Sequence, residues 1–396
     1  MNLTVPKNCQ VEYFQSNSND NSVDFNQFHL QFANDLHNFF AEQEKILVIL
    51  NDAFRNTPTA LILNWLNNCY PQLINKANFI IATGAHRAPT ESELSEIFGE
   101  LYEKKKDKIT VHDCLDESQL QSIGLDSLGG EVKINSRLFE FDKILVIGSV
   151  EPHYFAGFTG GRKSLIPGLA DLNTIERNHN LAVSMESMPM KLKANPVAEH
   201  LDELNSKINT DNIYSLQLVL NSISKISAIF GGSIRESFKK AVSFSRTCHA
   251  SKIDSQTDVL IAEIAPPLDK NLYQIQKGLE NCQLAVNEGG DIILVSKCSE
   301  GIGSEHFYKL AKNWNRETNM PDDKKMTFGC HKLSRVFSIG KRIRIILFSE
   351  IDASDARILF YEPINNIGEF ITEKAKGLDS LSIAIVRDAG NFVLVN

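Results

Sequence analysis

Short, almost uninterrupted apolar runs recur along the chain and alternate with amphipathic segments. In the first half they are KILVIL (45–50), NFIIAT (78–83) and KILVIGSV (143–150). In the second half they are DVLIAEI, DIILVS, RIRIILFS and LSIAIVRD. Such runs are typical of strands buried on both faces of a parallel sheet, with helices as the crossovers between them. The pattern therefore predicts an α/β fold with helix-flanked, mostly parallel sheets.

The length of the chain predicts two domains, because 396 residues exceed what one hydrophobic core usually serves. A polar segment, SKIDSQTD, separates the two groups of apolar runs, and we expect a linker at 245–256. The predicted domains are residues 1–250 and 251–396. Because sheets of this class bind ligands at the carboxyl ends of their strands, we expect the active site in the cleft between the domains.

Composition excludes several classes of function. The formal net charge is −8 and 23% of residues are charged, so we expect neither a nucleic-acid surface nor an anionic-membrane surface. The chain contains neither a membrane-spanning apolar run nor a secretory signal pattern. Its seven cysteines are scattered without a C-x-x-C pair, which is typical of reduced thiols. The predicted location is the cytoplasm.

Polar residues follow each apolar run of the first half. Asp52 and Arg55 follow the first, His86 and Arg87 the second, and His153 the third. The ends of neighbouring parallel strands meet at one edge of a sheet, so together these residues predict a functional site. Taken singly, each could equally be a turn cap, a surface ion pair or a satisfied polar group.

The segment EPHYFAGFTGGRKSLIPG at 151–168 combines a histidine, a glycine turn and a lysine. It lacks the G-x-x-x-x-G-K-[ST] spacing of a nucleotide phosphate loop, and no G-x-G-x-x-G follows a strand. Zinc could use His86, His153 and His179, but their spacing gives this no support. Arg162 is expected to be a solvated charge. The segment could therefore still bind a single phosphate, carry a reactive lysine or contribute to a metal site.

Five segments taken together resemble the nickel-dependent lactate racemase family. They are NDAFR, ATGAHR, EPHYFAGFTGGRKSLIPG, ERNH and YQIQKGLE, and they match that family in order over most of the chain. In that family nickel is held in a pincer nucleotide, a pyridinium thioamide/thiocarboxylate mononucleotide covalently attached to a lysine. The resemblance implies that this nickel-pincer nucleotide is attached to Lys163 and that His179 is the nickel ligand.

The same resemblance implies roles for six further residues. It implies that His86 and His153 are the two acid/base residues. It implies that four further residues line the cofactor: Asp52, Arg55, Gln274 and Lys277. Of these, Arg55 and Lys277 would also bind the substrate. Lys277 lies in the first turn of a predicted helix, where an anion is favoured.

The activity implied is that of an isomerase, a racemase or epimerase of a lactate-like 2-hydroxy acid that acts by reversible hydride transfer through a 2-oxo acid. The implied partners are this small acid and the enzymes that make the cofactor. Two alternatives remain. The first is the same chemistry on a larger acid, such as malate, an aromatic hydroxy acid or a sugar acid. The second is a non-catalytic nucleotide- or cofactor-binding homologue.

Overall fold

The computed structural model describes residues 4–15, 22–40, 45–221, 224–266, 268–321, 327 and 329–395. The chain divides into two compact units. The first unit comprises Ser18–His179 and Lys191–Arg246. The second unit comprises Met1–Asn17, Asn180–Met190 and Thr247–Asn396.

The strands and α-helices are numbered in chain order. The strands are β1 (Cys9–Phe14), β2 (Ile46–Asn51), β3 (Asn78–Ala82), β4 (Ile109–Val111), β5 (Leu120–Leu125), β6 (Glu131–Asn135), β7 (Lys143–Ser149), β8 (Pro152–His153), β9 (Gly157–Phe158), β10 (Ile213–Leu220), β11 (Ile226–Ser233), β12 (Ala250–Lys252), β13 (Thr257–Glu263), β14 (Val286–Val295), β15 (Trp314–Asn315), β16 (Met320–Pro321), β17 (Arg344–Phe348), β18 (Glu362–Pro363), β19 (Leu381–Val386) and β20 (Val393–Val395). The helices are α1 (Phe25–Phe39), α2 (Thr59–Cys69), α3 (Pro71–Lys76), α4 (Glu91–Phe98), α5 (Tyr102–Lys105), α6 (Leu172–Asn180), α7 (Pro196–Ser206), α8 (Ile234–His249), α9 (Leu272–Cys282), α10 (Glu305–Lys312), α11 (Cys330–Gly340), α12 (Ala353–Ile358) and α13 (Ile367–Ala375).

The first unit is built on a six-stranded sheet with the order β11-β10-β7-β2-β3-β4. All of its pairings are parallel except that between β10 and β11. The apolar run at 46–50 is fully buried, and Ile46, Val48 and Leu50 pack into one core with α1 and α2. Burial of a strand on both faces explains why it shows no polar alternation.

The second unit is built on an all-parallel six-stranded sheet with the order β1-β19-β13-β14-β17-β18. Alternate residues of β13 enter different cores. Leu260 and Ala262 pack on one face of the sheet, whereas Val259 and Ile261 pack on the other. The predicted α/β class with mostly parallel sheets is therefore confirmed.

The domain bounds differ from the contiguous ones that the sequence predicts. Residues 9–14 lie inside the predicted first domain, yet β1 pairs with β19 in the sheet of the second unit. Residues 180–190 also belong to the second unit. The predicted linker at 245–256 is not a linker throughout, because it contains the end of α8 and the strand β12, which pairs with β20. The predicted cleft between the domains remains a prediction.

The helices of the described residues are all too short or too polar to cross a lipid bilayer.

Candidate functional site

Asp52 and His86 form the core of the site in the first unit. They follow β2 and β3, which pair in parallel with Asn51 opposite Ala82, so the two turns leave the same edge of the sheet. The Asp52 Oδ2 lies 2.6 Å from the Nδ1 of His86. The carboxylate is buried and also accepts the Phe54 N–H at 3.2 Å, while His86 remains partly exposed. A carboxylate at this distance holds the proton of a neutral imidazole on Nδ1 and leaves Nε2 as an acceptor.

His153 is held in a different way, although it also follows a strand of this sheet. It lies on the short hairpin β8–β9 beyond β7, where its Nδ1 accepts the backbone N–H of Ala156 at 3.2 Å. The ring stacks on Tyr154, with centroids 5.1 Å apart, and meets Phe155 edge-on at 4.5 Å. Because Nδ1 accepts, the proton of a neutral imidazole must be on Nε2.

The glycine turn after the hairpin places Lys163. Gly160 and Gly161 have φ of 71° and 53°, in the left-handed region that favours glycine. A Cβ on Gly161 would lie 2.5 Å from the Phe238 ring, so a larger residue does not fit. The Gly161 N–H donates to Gln217 Oε1 at 2.7 Å. Lys163 lies in the following 3₁₀ turn, largely buried, with its ammonium 5.9 Å from the Phe155 ring centroid.

His179, near the end of α6, lies close to the same groups. Burial lowers the pKa of His179 to about 3, and the positive charge of Lys163 is the next largest cause. Charges on His86 and Arg55 lower it further, while a hydrogen bond to the Ile175 carbonyl opposes the shift. The imidazole is therefore neutral at physiological pH, which is the form that binds a metal. Phe155 packs edge-on against it, with centroids 5.0 Å apart.

Three arginines predicted near these strand ends have different roles. Arg55 lies 4.0 Å from Glu151, and both side chains are partly exposed. Arg87 forms an ion pair with Glu93 at 2.6 Å, so it stabilises the start of α4. The expectation that Arg162 is solvated is wrong. Its guanidinium is buried against Phe238 and pairs with Asp202 at 2.6 Å, because the glycine turn folds it inward.

The two remaining predicted residues, Gln274 and Lys277, lie on α9 of the second unit. The Asn271 side chain caps this helix by accepting the Gln274 N–H at 3.1 Å. Lys277 follows three residues later and is half-buried. The prediction that it lies in the first turn of the helix is wrong, because α9 begins at Leu272 and Lys277 falls in its second turn. Its positive charge contributes to lowering the pKa of Lys332, a buried lysine on α11 that the sequence did not single out.

The structure therefore groups six of the eight predicted residues in one unit. Asp52 contacts His86, and the charges of Arg55, His86 and Lys163 act on His179. His153 joins this group through Phe155, whose ring meets both His153 and His179. Within the described part of the chain, no group of three or more His, Cys, Asp and Glu side chains could hold a metal ion. The three histidines considered for zinc therefore do not form such a site.

Several supporting residues were missed by sequence reasoning. Thr57 links the ends of two strands, since its hydroxyl accepts from Asn51 at 2.9 Å and lies 3.0 Å from that of Ser149. Gln217 supports the glycine turn from the neighbouring strand β10. A signal for Gln217 was present, because it is a polar residue inside the apolar run SLQLVL. Thr57 carried no comparable signal.

Two family descriptions match the chain. Residues 3–190 match the lactate racemase N-terminal domain, and residues 253–331 match the lactate racemase C-terminal domain. Similar proteins include a lactate racemase of Thermoanaerobacterium thermosaccharolyticum, 32% identical over 71% of this chain, and one of Lactiplantibacillus plantarum, 30% identical over 67%. The matches cover 65% and 63% of those two proteins, slightly less than two thirds.

Solved structures agree with the fold. The lactate racemase apoprotein of T. thermosaccharolyticum is similar with a TM-score of 0.84 and 25% identity, over 96% of this chain and 94% of that chain. A Thermotoga maritima protein has the same fold, with a TM-score of 0.72 and 17% identity over 94% and 98% of the two chains.

Proposed function

The chain belongs to the lactate racemase family, and from this premise we propose that it is an isomerase that racemises or epimerises a lactate-like 2-hydroxy acid. The observation that carries the proposal is the grouping of Lys163, His179, His86 and Asp52 in the first unit. The larger hydroxy acids named above are alternative substrates for the same chemistry.

We propose a nickel-pincer nucleotide as the cofactor, and the residues present fit it. Lys163 offers a primary amine for covalent attachment, and His179 offers a neutral imidazole as a metal ligand. When bound, the nucleotide would supply the acceptor and donor of the hydride from the substrate's α-carbon. The enzymes that make this nucleotide are proposed partners.

The side chains of the first unit suit the proton transfers of such a reaction. His86, with its Nδ1 against Asp52, offers Nε2 as the base for the substrate hydroxyl. His153, with Nδ1 accepting from Ala156, offers Nε2–H as the donor that returns a proton on the opposite side. Two bases are needed because racemisation runs in both directions. Arg55 would hold the substrate carboxylate as a charge-assisted pair.

The proposal is tested with protein co-produced with cofactor-making enzymes. We expect intact mass to show an adduct on the wild type that is absent from Lys163→Ala. We also expect interconversion of pure L- and D-lactate, with malate and an aromatic hydroxy acid tested in parallel. In heavy water, hydride return predicts little deuterium at the α-carbon. An adduct that persists in Lys163→Ala, or rapid α-carbon exchange, would contradict the mechanism.

A non-catalytic cofactor-binding homologue is the second candidate. It would show the same mass adduct but would convert none of the acids. The ordered contact between Asp52 and His86 speaks against it, because binding alone does not require an imidazole with a fixed tautomer.

A further inference from the structure

An exposed aromatic ring lies in the same turn as two of the predicted site residues. Residues 52–55 form a turn after β2, in which the Arg55 N–H donates to the Asp52 carbonyl at 3.2 Å. The Phe54 N–H donates to the Asp52 side chain at 3.2 Å, so the carboxylate that contacts His86 also fixes the backbone at Phe54. Turn positions are usually occupied by small or polar residues, yet Phe54 is a large apolar residue and is 50% exposed.

The Phe54 ring borders the imidazole of the proposed base. Its centroid lies 4.7 Å from that of the His86 ring, with an angle of 50° between the two planes. Asp52 contacts this imidazole at Nδ1, and the His86 side chain is still 43% exposed. Phe54 therefore presents apolar surface beside the group whose Nε2 would hold the substrate hydroxyl.

The proposed reaction fixes two substituents of the substrate's α-carbon near this ring. The hydroxyl is bound at His86 and the carboxylate at Arg55. Phe54 contacts the first of these residues and directly precedes the second in the turn. The α-carbon also carries a hydrogen and the side chain of the acid, and the side chain is what distinguishes one 2-hydroxy acid from another. Phe54 is thus placed to contact the part of the substrate that determines specificity.

The charges around Phe54 favour an acid with a single carboxylate. The Arg87 guanidinium lies 5.2 Å from the centroid of the Phe54 ring, but its two Nη atoms donate to the Glu93 carboxylate at 2.7 and 2.6 Å. This cation is therefore already paired and attracts a second substrate carboxylate only weakly. Glu151 lies 4.0 Å from Arg55 and would repel such a carboxylate. The Phe54 side chain offers no polar atom to the additional hydroxyls of a sugar acid.

We propose that Phe54 is a specificity-determining residue and that the substrate is a monocarboxylic 2-hydroxy acid whose aromatic side chain packs on the Phe54 ring. The proposal rests on the proposed function, in which His86 and Arg55 bind the hydroxyl and the carboxylate. It selects one class from the alternative acids and disfavours malate and sugar acids. An aromatic side chain fits best, because a contact between two rings adds to the burial of apolar surface.

The test compares kcat/KM for L-3-phenyllactate, L-lactate and L-malate with cofactor-loaded enzyme. For the wild type we expect kcat/KM for phenyllactate to exceed that for lactate by at least about tenfold, as apolar substrate contacts typically provide. Malate should be the poorest of these substrates. Phe54→Ala should lower the ratio of kcat/KM for phenyllactate to that for lactate by about tenfold. The ratio removes any effect on His86 that is common to both acids.

Phe139→Ala is the matched control, because Phe139 is 47% exposed, belongs to the same unit and lies outside the proposed site. It should keep the wild-type ratio. A wild type that prefers lactate or malate would overturn the proposed substrate class. A preference for phenyllactate that is unchanged in Phe54→Ala would overturn the role of Phe54. If Phe54→Ala does not fold, Phe54→Leu replaces it and should lower the ratio by a smaller factor.

Failure of the proposed function has a different result. If the loaded wild type converts none of these acids, the proposed function is wrong, and binding to the cofactor-free chain then tests the contact with Phe54. Isothermal titration calorimetry should show that phenyllactate binds more tightly than lactate to the wild type and to Phe139→Ala but not to Phe54→Ala. Equal affinities of the wild type for the two acids would overturn the proposal. Conversion of lactate without conversion of phenyllactate would support the proposed function and overturn the proposal about Phe54.

Discussion

At the scale of single residues, the two predicted acid/base histidines are held in opposite tautomers. Asp52 accepts a hydrogen bond from the Nδ1–H of His86, whereas the Nδ1 of His153 accepts one from the backbone N–H of Ala156. Asp52, expected from the family resemblance to line the cofactor, thus has a more specific role as the residue that orients His86. In the proposed reaction one imidazole is ready to accept a proton and the other to donate one.

Replacing Asp52 by Asn should lower kcat/KM by about 100-fold, the lower end of what general-base catalysis contributes. The amide can donate to Nδ1 of His86 and so favours the tautomer in which Nε2 carries the proton and cannot act as a base. Because the two enantiomers of a racemised acid are equally stable, kcat/KM must fall equally from L- and D-lactate. Initial rates from each enantiomer measure this. Asp113→Asn is the control, since its exposed carboxylate accepts the Leu115 N–H in a turn and is not among the proposed site residues. Activity retained in Asp52→Asn would contradict the role of the dyad.

His179 should make the cofactor-free protein less stable in acid. Its pKa of about 3 in the folded chain compares with about 6.5 in an unfolded one. As the pH falls from 7 to 5, the unfolded chain binds a proton that the folded chain does not, so the free energy of unfolding falls. His179→Gln should lose about 2 kcal/mol less over this interval than the wild type. Urea denaturation at both pH values measures it, with His306→Gln, an exposed histidine, as control. If the wild type and His179→Gln lose the same unfolding free energy between pH 7 and pH 5, the lowered pKa of His179 is contradicted.

The sequence indicated which residues follow the strands, because that depends only on apolar runs and their ends. It could not indicate which charges are buried. Arg162 and Lys332 have the same local appearance as surface cations, and only the packing of Phe238 and Tyr273 around them removes them from solvent. Such contacts join residues far apart in the chain.

At the scale of elements, the glycine turn connects β9 to the buried Lys163. Gly161→Ala should lower the free energy of unfolding by about 2–4 kcal/mol, of which about 1–2 kcal/mol is the left-handed conformation and the rest the contact with Phe238. Gly129→Ala is the matched control. It also has positive φ, 79°, but a Cβ there would meet no atom within 4 Å. Urea denaturation of the two variants separates the cost of the contact with Phe238 from the cost of the left-handed conformation. Equal losses of unfolding free energy in the two variants would show that the turn tolerates a side chain at position 161.

The elements themselves were largely predictable, since buried parallel strands are apolar throughout. Thr90 and Glu93 form a capping box at the start of α4, and the local T-x-x-E pattern is typical of one. The strand β12 was not predicted, because its sequence, ASK, is polar and its pairing with β20 joins distant parts of the chain. Pairing partners at such separations leave no local pattern.

At the scale of the whole molecule, the second unit is assembled from three separate stretches of chain. Residues 180–190, which directly follow His179, are held there by Arg335, whose Nη1 donates to the carbonyls of Ala182 and Ser184 at 3.0 and 2.8 Å. Glu280 neutralises this arginine inside the unit. The chain therefore passes from the first unit to the second directly after His179, the proposed metal ligand. The segment that it enters is held by the two hydrogen bonds from Arg335.

Deleting residues 1–15 should destabilise the second unit selectively. The deletion removes β1, which pairs with β19 over six residues, and takes Phe14 out of the core. The newly exposed edge of β19 would have unpaired backbone groups, and we expect amide exchange of residues 381–386 to become much faster. Exchange in β2 and β7 of the first unit serves as the internal control and should be unchanged. Hydrogen–deuterium exchange measured by mass spectrometry on the full chain and the deletion variant decides the point. Equal acceleration in both units would show that the first fifteen residues stabilise the chain as a whole, and no change in β19 would show that β1 is dispensable to its sheet.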